Sequence, residues 1–458
     1  MGFTFPSDVL LLSTYELGHQ PLHLASPLGF LERAGFAARG LDLAVEKLDE
    51  AAVRAARFVG IAVPMHTALR LGLRVAARVR ALNPSAHLCF YGLYAPLHRE
   101  LLAAAGADSV LGGEYEEELV ALVGSLAAAR RSPRLVVLDR LNFAAPQRNG
   151  LPPLERYARL LAPDGERVAG YVEASRGCLH LCRHCPIPSV YDGRFFVVPA
   201  ATVLADARRQ IAAGARHLTF GDPDFLNGPG HALAVARALH AEFPSVTFDF
   251  TAKIEHLLKH RALLPELAAL GCVFVVSAVE SLNERVLAIL DKGHTRADAD
   301  EALALTRAAG LALRPSLVPF TPWETLDSYL ALLDWIDARA LHDQIDPVHL
   351  SIRLLIPPGS KLLELDDVRA QLGALEPSKL SYAWAHPDPR MDALQRAVYS
   401  AVESAAACGE DARSTFARVR SLARAAAAGQ PLVAAPAAAA PAIAGGARSP
   451  HLSETWFC

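Results

Sequence analysis

Three cysteines, Cys178, Cys182 and Cys185, stand at C-x-x-x-C-x-x-C spacing within residues 170–188. A loop this short can wrap three thiolates around one face of an iron–sulfur cluster. An electron-transfer cluster normally takes four cysteines, so three leave one iron open for another ligand. Zinc and unrelated core thiols are the competing readings. Structural zinc usually takes four ligands in C-x-x-C pairs, and no second pair exists here. Cys89, Cys272 and Cys408 read as ordinary small core residues.

The elements around such a loop must hold the thiols and keep the open iron accessible. Downstream, residues 216–220, 247–251, 272–277, 312–317 and 349–355 are apolar runs separated by helical stretches. Polar residues follow these runs in turn. Gly221, Asp222 and Asp224 come after the first, Lys253 and Glu255 after the second, and Ser277, Glu280 and Ser281 end the third; Arg314 lies in the fourth. In barrels of parallel strands the chemistry sits at the carboxyl ends.

This combination resembles the radical S-adenosylmethionine (radical SAM) superfamily. The resemblance implies a 4Fe-4S cluster on Cys178, Cys182 and Cys185, with S-adenosylmethionine on the open iron. It also implies a partial (β/α)6 barrel over residues 166–360, whose first strand is 172–174, followed by Gly177. Residues 278–281 resemble the family's Gly-x-Glu-Ser segment, completed by Lys292-Gly293. Gly221, Asp222, Asp224, Ser277, Glu280 and Arg314 then become candidate cofactor contacts. Arg314 suits the methionyl carboxylate, because a guanidinium fork matches carboxylate geometry. Each also has a plainer reading: Asp222 or Glu280 as a helix cap, Arg314 in a structural ion pair.

Ahead of this core, residues 8–13, 40–45, 58–63, 86–91 and 109–111 alternate with helical stretches. One helix carries Leu71, Val75, Val79 and Leu82 on one face and Arg70, Arg74 and Arg78 on another. The pattern predicts an α/β fold with a doubly wound parallel sheet over residues 1–125. In this position it resembles a cobalamin-binding domain, and residues 112–119 resemble that family's Gly-Glu-x-Glu segment. No D-x-H-x-x-G segment is present, so no histidine from the protein is expected on cobalt. His19, His23 and His66 read as solvated loop residues. Gly92-Leu93-Tyr94 replaces the paired glycines usual there. The alternative is a domain that binds substrate and no cobalamin.

Residues 126–165 are rich in proline and read as an extended linker. Residues 361–428 read as a mostly helical extension, and 429–449 as an alanine- and proline-rich linker. The tail, 450–458, contains two aromatics and Cys458 and reads as a docking segment with a candidate catalytic thiol. It resembles a radical SAM group whose tail continues Cys-Cys-Ala-Glu-Pro or Cys-selenocysteine-Ala-Glu-Pro. On that resemblance the reading frame is expected to continue through a UGA codon, pairing a thiol with a selenol.

The 458 residues carry a net charge of −3, which gives no reason to expect nucleic acid as a partner. Prolines and glycines interrupt the longest uncharged stretch, 425–447, so no membrane span is expected. Clustered thiols need a reducing compartment, and the cytoplasm is the default. The N-terminus lacks a basic segment before its apolar run, so no signal peptide is expected. The leading functional reading is reductive cleavage of S-adenosylmethionine to modify an unreactive small molecule or peptide. Electrons would come from a flavodoxin or ferredoxin, and cobalamin-dependent methyl transfer is one outcome. Aminocarboxypropyl transfer and methylthiotransfer compete with it. Methylthiotransferases hold a second cluster with three cysteines in their first domain, and this domain has only Cys89. A non-catalytic iron–sulfur redox or sensor module is the reading from another class.

Overall fold

The apolar runs near the start of the chain become parallel strands: β1 Val9–Ser13, β2 Ala38–Asp42, β3 Phe58–Ala62, β4 His87–Tyr91 and β5 Ser109–Gly113. The structure is a computed structural model, and it describes residues 8–126, 133–437 and 449–454. β1 and β3 are buried at every position, as expected of strands with helices on both faces. The order is β2-β1-β3-β4-β5-β6, with every pair parallel; β6 is Val136–Val137. β2 starts two residues before the predicted 40–45 and ends at Asp42, whose carboxylate accepts from Ala44 N and turns the chain. The helix His66–Leu82 buries Ala68, Leu69, Gly72, Ala76 and Val79. Its inner face is therefore centred on small residues, and the larger Leu71 and Val75 flank it.

The second sheet opens with an antiparallel hairpin, β7 Arg159–Ala162 and β8 Gly165–Val172. A small antiparallel pair follows, β9 Ser175–Gly177 and β10 Phe195–Val197. β11 His217–Phe220, β12 Thr247–Thr251, β13 Cys272–Glu280 and β14 Ala312–Leu317 then extend β8 in parallel. A further hairpin, β15 Leu372–Glu376 and β16 Ser381–Trp384, comes late in the chain. Last is β17, His451–Leu452, which pairs antiparallel with β7 and makes the sheet order β14-β13-β12-β11-β8-β7-β17.

Four sequence expectations need correction. The first barrel strand is 165–172, and residue 172 is its end, not its start. Part of the 126–165 stretch is sheet: its prolines mark joints, and the short runs between them add β6 to one sheet and β7 to the other. The sixth barrel strand does not form. Pro347 opens a 3-10 turn, and only Phe320 and Arg353 make a parallel bridge; proline lacks the N–H a ladder needs. The extension after residue 360 holds the β15/β16 hairpin before its two long helices, Pro389–Cys408 and Ala412–Ala427. Those helices bury Leu394, Val398, Phe416, Val419 and Leu422 in the same core as the barrel, so they close its outer layer. Among the described residues, no helix is long and apolar enough to cross a membrane.

Candidate functional site

The cysteine loop leaves β9 through Gly177. This residue has φ +70°, and a Cβ here would lie 2.3 Å from the Arg194 carbonyl oxygen. Only glycine fits such a turn. Cys178 and Cys182 are buried, Cys185 is partly buried, and none forms a disulfide. The loop is tied down on several sides. Leu179 N donates to Asn227 Oδ1 (3.3 Å), and the Arg183 guanidinium donates to the carbonyls of Ala288 (3.2 Å) and Ile289 (3.0 Å). Ser360 Oγ donates to the Arg183 carbonyl (3.0 Å). Burial pushes the Cys178 and Cys185 thiols up, with neighbouring thiols adding to the effect. Metal must therefore displace their protons, and the buried ammonium of Lys292 stands close enough to favour the thiolate at Cys185. Three clustered thiols on a pre-set loop beside a cation fit an iron–sulfur cluster.

Of the strand-end residues, the structure brings Asp224 and Glu280 to this loop, beside His180 and His184, and engages Asp222, Ser277 and Arg314 elsewhere. Gly221 leaves room for Tyr171, whose hydroxyl would be 2.0 Å from a Cβ there. Asp222 accepts from Ala174 N (2.8 Å) and from Ser175 Oγ, so it pins the corner between β8 and β9 and caps no helix. Its burial raises the carboxyl to about 7. Asp224 accepts from Leu226 N (3.0 Å) and Lys253 N (3.2 Å) and faces His256. Ser277 Oγ donates to the Ala252 carbonyl (2.7 Å). Glu280, at φ +64°, lies 3.3 Å from both Lys292 Nζ and His184 Nε2. Burial works against its charge, but Lys292 and His184 outweigh it and hold the carboxyl at about 2. Arg314 pairs with Asp346 (2.9 Å) and donates to the Asp343 carbonyl (3.1 Å), which is its plainer, structural reading. Cys458 lies outside the described residues.

Several residues at the site went unnoticed in the sequence. His180 and His184 lie between the cysteines, which was the available signal. His256 and Asn227 carried none. Arg176, two residues before Cys178, is the centre of a buried seam between the two sheets. Its guanidinium reaches Glu116 (2.6 Å), Glu173 (2.9 Å) and Glu114 (3.8 Å). Ser26 Oγ also donates to Glu116, and the Tyr191 hydroxyl donates to Glu114. Burial raises the Glu114 carboxyl to about 7 despite Arg176. The Gly-Glu-x-Glu segment thus reaches across to the cysteine loop.

The histidines at the edge of the first sheet are not solvated loops. His19 is buried and stacks on Tyr171 with centroids 4.5 Å apart. His23 Nδ1 is 3.1 Å from Glu16, and His66 Nε2 is 2.8 Å from the Lys379 carbonyl. Tyr15, after β1, donates to Glu454 of the tail (2.8 Å).

Residues 172–336 match the radical SAM superfamily. The matched stretch contains the cysteine loop and strands β11 to β14. Among solved structures, it resembles TsrM of Kitasatospora setae, a radical S-adenosylmethionine methyltransferase with cobalamin and a 4Fe-4S cluster bound. The TM-score is 0.66 at 16% identity, over 86% of this chain and 90% of that one. It also resembles the cobalamin-dependent radical enzyme OxsB with aqua-cobalamin bound, with a TM-score of 0.65 at 14% identity over 92% and 72% of the two chains. These likenesses establish the two-sheet fold. Among curated proteins, the ribosomal protein uS12 methylthiotransferase RimO of Cereibacter sphaeroides is 28% identical over 220 residues, 45% of this chain and 46% of RimO. RimO of Thermus thermophilus is 29% identical over 197 residues, 38% and 44% of the two chains. The chain spans about half the length of the curated relatives it matches.

Proposed function

We propose that this enzyme cleaves S-adenosylmethionine reductively at a 4Fe-4S cluster held by Cys178, Cys182 and Cys185, and transfers a group to an unreactive substrate with the help of cobalamin. The observation that carries the reading is the loop of three clustered cysteines at the carboxyl ends of a parallel half-barrel. When bound, the cluster supplies one electron and an open iron. The protein's own residues fix the loop, place Lys292 beside the thiols, and keep the Asp222 carboxyl holding the β8–β9 corner. The substrate is expected to be a small molecule or peptide, the compartment the cytoplasm, and the reductant a flavodoxin or ferredoxin.

Support for cobalamin comes from the first sheet, whose carboxyl edge faces the barrel. His19 Nδ1 and His98 Nε2 are buried there without a hydrogen-bond partner, the kind of orphan a large polar ligand satisfies. That cobalamin is held without a protein nitrogen on cobalt rests on the missing D-x-H-x-x-G segment. Methylthiotransfer is less well supported. Cys89, the first domain's single cysteine, lies inside β4, and burial pushes its thiol up to about 12. Cys458 is proposed as a catalytic thiol from the sequence alone.

The test is anaerobic reconstitution with iron, sulfide and hydroxocobalamin, followed by reduction with S-adenosylmethionine present. Four irons, one cobalt and release of a cleavage product support the proposal. Cleavage without cobalt uptake removes the cobalamin part; four irons without cleavage leave a redox or sensor module. Axial nitrogen splitting in the paramagnetic resonance of the reduced cobalt would refute the ligand prediction.

A further inference from the structure

A chain of four polar side chains runs beside the cysteine loop. Asp224 Oδ2 lies 2.8 Å from His256 Nδ1, His256 Nε2 lies 3.1 Å from His180 Nε2, and His180 Nδ1 lies 3.7 Å from Glu255 Oε2. Asp224 is fully buried and His256 is 5% exposed, whereas Glu255 reaches the rim with its side chain 43% exposed. Both ends are carboxylates. The chain has three gaps, and two neutral imidazoles bring only two protons. One gap must then set a lone pair against a lone pair, or hold an added positive charge.

No Lys or Arg side chain among the described residues pairs with Asp224. Among the described residues, its ion-pair partners are the two imidazoles alone. A buried carboxylate without a permanent cation is costly. His256 Nδ1, despite its closeness to Asp224, has no hydrogen-bond alignment and stays unsatisfied. The spacing suits a metal. Donor atoms bonded at ~2.0–2.1 Å to one ion lie roughly 3.0–3.4 Å apart, and one donor atom each from His180, His256 and Asp224 falls within 4.8 Å of the others.

We propose that His180, His256 and Asp224 form a mononuclear site for a divalent transition cation, separate from the cluster. Two imidazoles and a carboxylate favour zinc, ferrous iron, cobalt or nickel over calcium or magnesium. Glu255 stands behind His180 as the outer carboxylate that fixes its ring. The remaining coordination positions open toward the carboxyl ends of β11 and β12, where a carboxylate, amine or oxygen of a bound molecule can enter.

The experiment loads the full chain with its cluster, dialyses it against micromolar zinc, and counts both metals. The expected result is four irons and one zinc in the parent protein. His256→Ala and Asp224→Asn should keep four irons and lose the zinc, and Glu255→Gln should weaken zinc binding about 10- to 100-fold. Retained iron reports that each variant is folded. Zinc X-ray absorption on the parent protein adds a measurement independent of any variant: nitrogen and oxygen scatterers support the site, and sulfur overturns it. No zinc uptake by the parent overturns it too and leaves an imidazolium in the gap. Zinc retained in both variants has the same effect.

Discussion

Two groups of buried carboxylates flank the cysteine loop, and they are neutralised differently. On the side of the first sheet, Glu114, Glu116 and Glu173 converge on Arg176, a permanent cation hydrogen-bonded to Glu116 and Glu173 and 3.8 Å from Glu114. On the side of β11 and β12, the described ion-pair partners of Asp224 are two imidazoles, and its other partners are backbone N–H groups. A guanidinium cannot leave or lose its proton, so the first group ties two sheets together. Imidazoles can bind and release cations, so the second can exchange a ligand. The loop therefore has a fixed side and an adjustable one.

The largest effect expected is at the loop itself. Cys182→Ala should abolish cluster binding and S-adenosylmethionine cleavage, read from iron content and product release; retained cleavage would remove the common reference for both sides. Next is the fixed side. Arg176→Met leaves two buried glutamates and a partly buried third without their cation and should cost about 3–5 kcal/mol, measured by urea unfolding of cluster-free protein. Asp224→Asn under the same conditions should change stability by no more than about 1 kcal/mol, because it removes an uncompensated charge. Equal losses would end the comparison.

Glu280 and Lys292 offer a third case, a buried pair with one charge of each sign. Lys292→Met should cost about 3 kcal/mol, and adding Glu280→Gln should restore most of that loss. The smallest effect concerns Asp42, which accepts from the Tyr157 hydroxyl across the seam (2.9 Å). Burial raises its carboxyl from 3.8 to about 6. Between those values the folded state keeps a proton that the unfolded state has lost, so stability falls as pH rises. Asp42→Asn should remove roughly 2 kcal/mol of the fall in unfolding free energy between pH 4 and 6, read from urea unfolding at each pH.

The cysteine loop was legible because its three cysteines lie within eight residues, and local spacing survives folding. The two sheets were legible because continuous apolar runs record burial on both faces. Arg314 was legible only as two alternatives: a strand position tells where a residue starts, and its contact with Asp346 could not be read from it. The sixth strand failed for a local reason, Pro347. The pairing of His180 with His256, 76 residues apart, leaves no trace in either segment. Glu114 and Glu116 stood in a quoted motif, but their partner Arg176 is 60 residues from Glu116, and only the fold joins them.

β17 gives the half-barrel an unusual assembly history. Without it, β7 is a bare edge, and bare edges recruit strands from other molecules. The segment that covers it is made late: Ser453 bonds back to Arg159 across 294 residues. A ribosome-bound chain must therefore hold a nearly finished sheet open until residues 449–454 emerge. Proteolysis within 429–437, ahead of that segment, would recreate the same state in the mature protein. The consequence is self-association along β7, with the cysteine loop still intact.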